Sequence, residues 1–124
     1  ELAGNDITIR LRDLLSNGQY RFKNSLADNE LVSYLKESLC AVKADEEIGA
    51  KPITLPDGRT IELKDERHEA PEILFTPTVD PSHMLKQSTQ DIVYESISDC
   101  QNEMRRELYQ SIVLSGGSTQ LPGF

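Results

Sequence analysis

The feature that most constrains the fold is a short apolar run, residues 111–114, that ends in Gly116 and Gly117. The run is predicted to be a buried strand. Glycines at the carboxyl end of a strand let backbone amides approach a ligand closely because no Cβ intervenes, which is a common way to hold ribose or phosphate oxygens. A tight strand-to-helix turn without a ligand explains the same pattern, so the stretch alone leaves both interpretations open.

Four helices are predicted from apolar stripes and capping signals. Asn5 or Asp6 is expected to cap the first helix. Ser25 and Ser88 are expected to open the second and third, because an acidic residue follows each serine at the spacing of a capping box. The apolar stripes are Ile7, Leu11, Leu14 and Leu15 in the first helix, Leu31, Val32, Leu35 and Leu39 in the second, Ile92, Val93, Ile97 and Cys100 in the third, and Met104 and Leu108 in the fourth.

A Pro-Asp-Gly turn at residues 56–58 lies between two short alternating runs and predicts a β-hairpin. Ile53 and Leu55 precede the turn, and Ile61 and Leu63 follow it. The lesser features expected are a short strand at 20–22, an exposed loop at 43–51, a short helix from Pro71 to about Phe75, and a loop at 76–87.

The charge balance disfavours nucleic acid and membranes as partners. The formal net charge is −8, and duplexes and anionic membranes attract proteins through Lys and Arg. No apolar run reaches the ~20 residues that span a bilayer, and no basic-then-apolar leader is present. Cys40 and Cys100 have no disulfide or metal-binding spacing. We therefore predict the cytosol or the nucleus.

Several separate motifs resemble, in the same order, those of actins and actin-related proteins. Residues 113–119 with 122–123 resemble the family's adenosine motif. The other matching stretches are residues 2–6, 35–40, 55–61, 66–75 and 106–109. The chain is identified as a member of this family, and residues 67–72 together with Ser118 favour an actin-related protein over conventional actin.

The resemblance implies an α/β fold, a partial actin-like ATPase of the ribonuclease H-like superfamily. Residues 1–86 would form the outer lobe (subdomain 4), with helices around a small hairpin sheet. Residues 87–124 would supply two helices and a strand of the large lobe, as part of subdomain 3. The abrupt ends lead us to expect a fragment of a longer protein. The apolar side chains expected to remain partly uncovered, and to favour self-association, are Ile92, Ile97, Ile112 and Leu114.

The resemblance also implies half of a cleft for ATP or ADP. Lys36 and Glu37 match positions that contact the base and ribose, and Gly4 matches a glycine beside the sugar. The full set of expected binding residues is Gly4, Lys36, Glu37, Gly116, Gly117, Ser118, Gln120 and Leu121. The expected cofactor is ATP or ADP with Mg2+ in the longer parent, with none bound to the fragment alone.

The chain departs from conventional actin at four positions near the expected nucleotide. Leu121 occupies a position where conventional actin has a Tyr, and Gln120 one where it has a Met. Ser33 and Asn5 each occupy a position where it has an Arg. Leucine still packs on a base but without aromatic stacking, so these changes affect nucleotide affinity more than nucleotide class. No catalytic residue is assigned, because the family's phosphate hairpins and metal-linked acid lie outside this chain, and half a cleft cannot orient an attacking water.

The partners implied are other actin-family protomers or actin-binding proteins of the cytoskeleton. Residues 25–26, 56–58 and 101–104 are expected on assembly surfaces, and residues 77–88 would replace the family's apolar plug. One alternative is an actin-related scaffold subunit that has lost nucleotide and acts through protein contacts. Another is a sugar-kinase or chaperone-type relative of the same superfamily. His68 and His83 do not have the spacing of a metal pair.

Overall fold

The computed structural model describes residues 2–18, 20–23, 25–42, 52–79 and 87–124. The predicted loop at 43–51 lies outside these residues. Most of the predicted plug, including His83, lies outside them as well. The predicted division of the chain at residues 86 and 87 falls at the edge of this gap and remains a prediction.

The described residues form five α-helices and a two-stranded sheet. The elements are α1 (Gly4–Asn17), α2 (Leu26–Leu39), β1 (Pro52–Thr54), β2 (Thr60–Glu62), α3 (Glu66–Glu72), α4 (Thr89–Ser98) and α5 (Asn102–Gln110). Two 3-10 turns, Pro77–Val79 and Gly117–Gln120, complete the order. The four predicted helices and the hairpin are confirmed, and the fold is mixed α/β with helices predominating.

Local capping explains where α1 and α2 begin. The amide of Asp28 donates to the Ser25 hydroxyl at 3.2 Å, as predicted for α2. In α1 the cap position belongs to Ala3, so the expectation of Asn5 or Asp6 is wrong. The Asp6 carboxylate instead accepts from the Ala3 amide at 2.9 Å and satisfies one of the donors that a helix start leaves unpaired.

The hairpin is antiparallel, with Ile53 opposite Ile61. Its turn needs Gly58, whose φ of +85° lies in the left-handed region that side chains with a Cβ avoid. The Arg59 guanidinium forms an ion pair with the carboxylate of Asp57, which lowers the pKa of that carboxyl. Arg59 also lies 5.0 Å from the centre of the Phe22 ring, which links the turn to the segment before α2.

A single hydrophobic core forms where α1 packs against α2 and α3. Ile7, Leu11 and Leu15 supply the buried stripe of α1, as their spacing predicts. The hairpin contributes Leu55, Ile61 and Leu63. The other fully or nearly buried members are Phe22, Val32, Leu35, Cys40, Ala70, Ile73, Leu74 and Leu121.

The predicted helix start at Pro71 is wrong, because α3 begins at Glu66 and contains Pro71 in its last turn. A proline inside a helix has no amide to donate to the carbonyl four residues earlier. That carbonyl belongs to Arg67, and it accepts from the amide of Ala41 at 3.2 Å instead. The proline therefore frees an acceptor that joins α3 to the end of α2.

Two predicted strands are not formed. Residues 20–22 are irregular, and residues 111–115 are irregular and exposed. Residues 111–115 do not form a strand because they pair with no other strand among the described residues, and a strand needs a neighbour for its backbone groups. Ile112 and Leu114 are 49% and 60% exposed, as expected of an uncovered face.

Helix α4 was also expected to leave its apolar side chains partly uncovered, and it does so in part. Ile92 is exposed, as predicted for an uncovered apolar face, whereas Ile97 is only 7% exposed and is buried contrary to that prediction. Ser88 caps α4 by accepting from the amide of Asp91 at 3.2 Å, which confirms it as the start of the helix, although the Asp91 carboxylate accepts from the Ser88 hydroxyl and not from its amide. The amide of Thr89 bonds to the carbonyl of Leu74 at 2.8 Å and fixes the start of α4 against the core.

Among the described helices, none has both the length and the apolar character needed to cross a membrane.

Candidate functional site

Three segments that are far apart in the sequence meet around a cleft of about 520 Å³. They are the start of α1, the second half of α2 and the turn after the paired glycines. The lining residues are Gly4, Ile7, Lys36, Glu37, Gly117, Ser118, Gln120 and Leu121. This first cleft therefore brings together every predicted site residue except Gly116, and it adds Ile7, which the sequence analysis had assigned only to the core.

A compact set of polar contacts ties α2 to the start of α1. The Lys36 ammonium donates to the carbonyl of Gly4 at 3.3 Å and to the Thr8 hydroxyl at 3.1 Å. The Thr8 hydroxyl in turn donates to the same Gly4 carbonyl at 3.1 Å. Two of the three ammonium donors are thus used within the protein, and one remains for another acceptor.

Gly4 lies close to the glycine-rich turn. A Cβ built at this position would lie 3.3 Å from the Ser118 hydroxyl oxygen and 3.6 Å from the Lys36 ammonium nitrogen. The first distance is tighter than most Cβ contacts, so a side chain at this position would require the Ser118 hydroxyl to move by a few tenths of an ångström. Gly4 therefore lets α1 and the side chain of Ser118 approach each other closely on this side of the first cleft.

The paired glycines play different parts. Gly116 has a φ of +108°, a conformation that residues with a Cβ rarely adopt. Its carbonyl accepts from the amide and the hydroxyl of Thr119, at 3.2 and 2.8 Å, and so shapes the 3-10 turn. A Cβ added at Gly117 would meet no atom within 4 Å, so protein packing does not demand a glycine there.

The acidic member of the cleft, Glu37, is exposed on α2. One of its oxygens accepts from the Ser33 hydroxyl one helical turn earlier, at 3.4 Å. This long contact leaves most of the acceptor capacity of the carboxylate open to the cleft. Glu37 is therefore the acceptor in the first cleft that is best placed to receive hydroxyl groups of a ligand.

The segment after the glycines is anchored to the core. Leu121 is only 8% exposed and belongs to the hydrophobic cluster, although it also lines the first cleft. The amide of Val42 donates to the carbonyl of Pro122 at 2.8 Å. The rings of Phe75 and Phe124 lie 5.3 Å apart in a tilted arrangement. The turn that forms one wall of the cleft is thus fixed at its far end.

A second cleft, of about 550 Å³, lies between α1 and α2 on the other side of Lys36. Its lining residues are Asn5, Thr8, Ile9, Arg12, Asn29, Glu30, Ser33 and Lys36. Two of the sequence's departures from conventional actin, Asn5 and Ser33, line this second cleft, whereas Gln120 and Leu121 line the first.

Neither nucleophilic chemistry at Cys40 nor a side-chain metal site is supported where the structure describes the chain. Cys40 is buried at the end of α2, and this burial raises the pKa of its thiol to about 12 despite the opposing influence of Lys36 and Arg67. A thiol that remains protonated is a poor nucleophile. Across the described ranges, no group of three or more His, Cys, Asp or Glu side chains is gathered in a way that could hold a metal ion.

His68 has a defined structural role. Its Nε2 accepts from the guanidinium of Arg67 at 3.0 Å, so this nitrogen carries no proton. The other ring nitrogen, Nδ1, is therefore the donor to the carbonyl of Ala41, also at 3.0 Å. The imidazole reinforces the junction between α2 and α3.

The helical lobe with its small hairpin and the cleft beside a Gly-Gly turn define an actin-like type of fold. A sequence profile described as Actin matches residues 2–124. The chain therefore belongs to the actin family, which confirms the resemblance seen in its motifs.

Within this family the chain is similar to actin-related protein 2 of several organisms. It is 40% identical to the Saccharomyces cerevisiae protein over 133 residues, 42% identical to that of Arabidopsis thaliana over 132 residues, and 39% identical to that of Caenorhabditis briggsae over 133 residues. These alignments cover 98–99% of the chain. The chain spans about a third of the length of the relatives, 33% in each case.

Proposed function

We propose that the chain forms one side of an ATP- or ADP-binding cleft in an actin-related protein. The adenosine end of the nucleotide would lie between α2 and the Gly-Gly turn. The observation that carries this proposal is the convergence of Gly4, Lys36 and Ser118, from three separate parts of the sequence, on one cleft. Its volume of about 520 Å³ falls within the ~300–1,000 Å³ range of small-molecule sites.

The chemistry of the first cleft fits an adenosine. The Glu37 carboxylate would accept hydrogen bonds from ribose hydroxyls, and the remaining donor of Lys36 would reach an acceptor on the base or sugar. Leu121 and Ile7 supply the apolar surface on which a base packs. The backbone at Gly117 would pass beside the sugar and the first phosphate, because no side chain fills the space there.

The phosphate end of the nucleotide would extend beyond this chain. Mg2+ usually binds through one or two carboxylates together with substrate phosphates, and the carboxylate that lines the described part of the first cleft, Glu37, is assigned to the ribose in this proposal. The proposed contribution of the chain is therefore to bind and orient the nucleoside. Hydrolysis would require residues that come from elsewhere in the protein.

We propose further that the protein acts in the cytoskeleton of the cytoplasm, through contacts with other actin-family proteins. Exposed apolar side chains at the predicted assembly positions support this. Leu26, at the start of α2, is 77% exposed, and Met104 of α5 is 51% exposed. The turn at residues 56–58 is also exposed, and Asp57 within it forms an ion pair with Arg59.

Calorimetric titration of the purified full-length protein with ATP and ADP, in the presence of Mg2+, tests the nucleotide site. Glu37→Gln keeps the size of the side chain but removes its charge, and we expect it to raise Kd about ten-fold or more, since hydrogen bonds to charged groups contribute ~1.5–3 kcal/mol. Glu30→Gln is the matched control, because Glu30 lies on the same helix but lines only the second cleft.

Each result has a clear meaning. Loss of affinity in Glu37→Gln with unchanged binding in Glu30→Gln supports the proposed site. Nucleotide binding that is equally strong in both variants would assign the nucleotide to another part of the protein. No saturable heat with millimolar ATP would overturn the proposal and favour the scaffold alternative.

A further inference from the structure

We infer that Thr8 is a positioning residue that holds the Lys36 ammonium at the boundary between the two clefts. Thr8 lies on α1 and is only 7% exposed. Its effect on nucleotide affinity depends on the proposed function, but its effect on Lys36 does not. The two can therefore be tested separately.

The hydrogen-bond geometry defines what the Thr8 hydroxyl does. A hydroxyl has one proton to donate, and that of Thr8 is given to the carbonyl of Gly4, one turn earlier in α1, at 3.1 Å. The lone pairs of the same oxygen are then left to accept from Lys36, which donates to it at 3.1 Å. The Lys36 ammonium of α2 is thus held at two points on α1, the Gly4 carbonyl and the Thr8 hydroxyl.

The position of Lys36 explains why this support matters. Lys36 lines both clefts, whereas Thr8 lines only the second. The second cleft also contains the carboxylate of Glu30, a competing partner for an ammonium group. Lysine has a flexible stem of four carbons, so an ammonium held only by the longer 3.3 Å contact to Gly4 is free to turn into the second cleft or into water.

A substitution at Thr8 therefore affects the first cleft through Lys36, because Thr8 itself does not line that cleft. Thr8→Val keeps the shape of the side chain but replaces the hydroxyl with a methyl group. Lys36 then loses its shorter hydrogen bond, and its ammonium is no longer held at the edge of the first cleft. Thr8→Ser keeps the hydroxyl and should keep the position of Lys36.

Competitive acylation of lysine amines in the nucleotide-free, full-length protein, read by mass spectrometry, measures the exposure of Lys36 directly. Lys64 is exposed and serves as the internal reference. We expect Thr8→Val to raise the acylation rate of Lys36 relative to Lys64 about five-fold, in line with the loss of one net hydrogen bond. Thr8→Ser should behave like the native protein.

Thr60→Val is a matched control, since Thr60 is an exposed hairpin residue whose hydroxyl hydrogen-bonds to that of Thr54 at 3.4 Å. It should leave the acylation of Lys36 unchanged. Thr8→Ala replaces Thr8→Val if the valine prevents folding, because alanine also removes the hydroxyl and cannot overfill the site. An unchanged Lys36 rate in a folded variant without the hydroxyl would overturn the inference, as would an equal increase in Thr8→Ser.

Nucleotide titration of the same variants gives the second result. If the protein binds ATP, Thr8→Val should raise Kd about five-fold and Thr8→Ser should restore it. If the protein binds no ATP, the acylation result still decides the role of Thr8. A Kd unaffected by Thr8→Val, with Lys36 released, would overturn the claim that this lysine is positioned for the nucleotide.

Discussion

The amide of Val42 and the carbonyl of Pro122 are joined by a hydrogen bond of 2.8 Å, and this bond ties the two walls of the first cleft together. Val42 follows α2, which carries Lys36 and Glu37. Pro122 follows the 3-10 turn, which carries Ser118. Because both walls are joined at this point, we expect the packing of the neighbouring Leu121, which is buried, to affect the geometry of the cleft.

Leu121→Ala should therefore lower the free energy of unfolding and disturb the shape of the first cleft. Leu121 is 8% exposed and part of the core, and truncating a buried leucine to alanine costs about 2–4 kcal/mol in the free energy of unfolding. Urea denaturation of the native protein and the variant measures this loss. Gln120→Ala is the neighbouring control, since Gln120 is exposed. A change below about 0.5 kcal/mol in Leu121→Ala would contradict the anchoring role of this residue.

Gly4→Ala should reduce ligand binding without reducing stability. The new methyl group would lie 3.3 Å from the Ser118 hydroxyl oxygen and would require this side chain to move by a few tenths of an ångström within the cleft, while alanine favours the helical backbone over glycine by up to ~1 kcal/mol. We expect the Kd for ATP to rise and the melting temperature to remain equal or increase. Gly18→Ala is the matched control, because a Cβ at Gly18 makes only ordinary contacts. Unchanged affinity in Gly4→Ala would show that the close approach is not needed.

The parts of the fold that were predicted correctly are those whose signals and partners are close in sequence. Ser25 and Ser88 each bond to an amide three residues later, so the cap is readable from a few residues. The hairpin around Gly58 is similar, because the turn and its strands lie within one short stretch. Such local signals define the starts of α2 and α4.

Two of the failures, the start of α3 and the strand at residues 111–114, have long-range causes. The start of α3 was misplaced because Pro71 is a frequent first residue of helices, and the amide that satisfies the carbonyl freed by Pro71 comes from the distant Ala41. The strand at residues 111–114 was wrong because a strand exists only with a neighbour. In the first cleft, the family motifs identified the lining residues other than Ile7, but they did not indicate the contact of Thr8 with Lys36. The spacing of four residues between Gly4 and Thr8 indicates that the Thr8 hydroxyl can reach the Gly4 carbonyl one helical turn earlier. No nearby sequence signal links Thr8 to Lys36, which lies 28 residues away.

Cys40 gives the protein a defined sensitivity to alkali. Burial raises the pKa of its thiol from about 9 in the unfolded chain to about 12 in the native protein. Above pH 9 the unfolded thiol ionises while the native one does not, so the contribution of Cys40 to stability is complete below this pH and is lost as the pH rises to about 12. Cys40→Ala should therefore lose less stability than the native protein between these two pH values.

Denaturation at a series of alkaline pH values checks this expectation, read as the difference between the native protein and Cys40→Ala so that other ionisations cancel. Cys100→Ala is the control, because Cys100 is only partly buried. Parallel pH curves for the native protein and Cys40→Ala would show that the Cys40 thiol ionises equally in both states.

The exposed apolar segment at residues 112–114 should make the 124-residue chain self-associate. Ile112, Val113 and Leu114 are 49%, 86% and 60% exposed, and their backbone groups pair with no strand among the described residues. No charged residue occurs from Leu108 to Phe124, although the chain carries a net charge of −8. Copies of the chain therefore repel one another least at this segment, where an unpaired backbone can accept a second strand.

Val113→Lys places a charge at the most exposed of these positions and should reduce the association without changing the core. Sedimentation velocity over a range of concentrations measures the effect, with an increase in sedimentation coefficient expected for the native chain and little or none for the variant. Gln110→Lys, at the end of α5, adds the same charge outside the apolar segment and should reduce association less. A monomeric, concentration-independent profile for the native chain, together with a sharp melt that does not depend on concentration, would contradict the prediction.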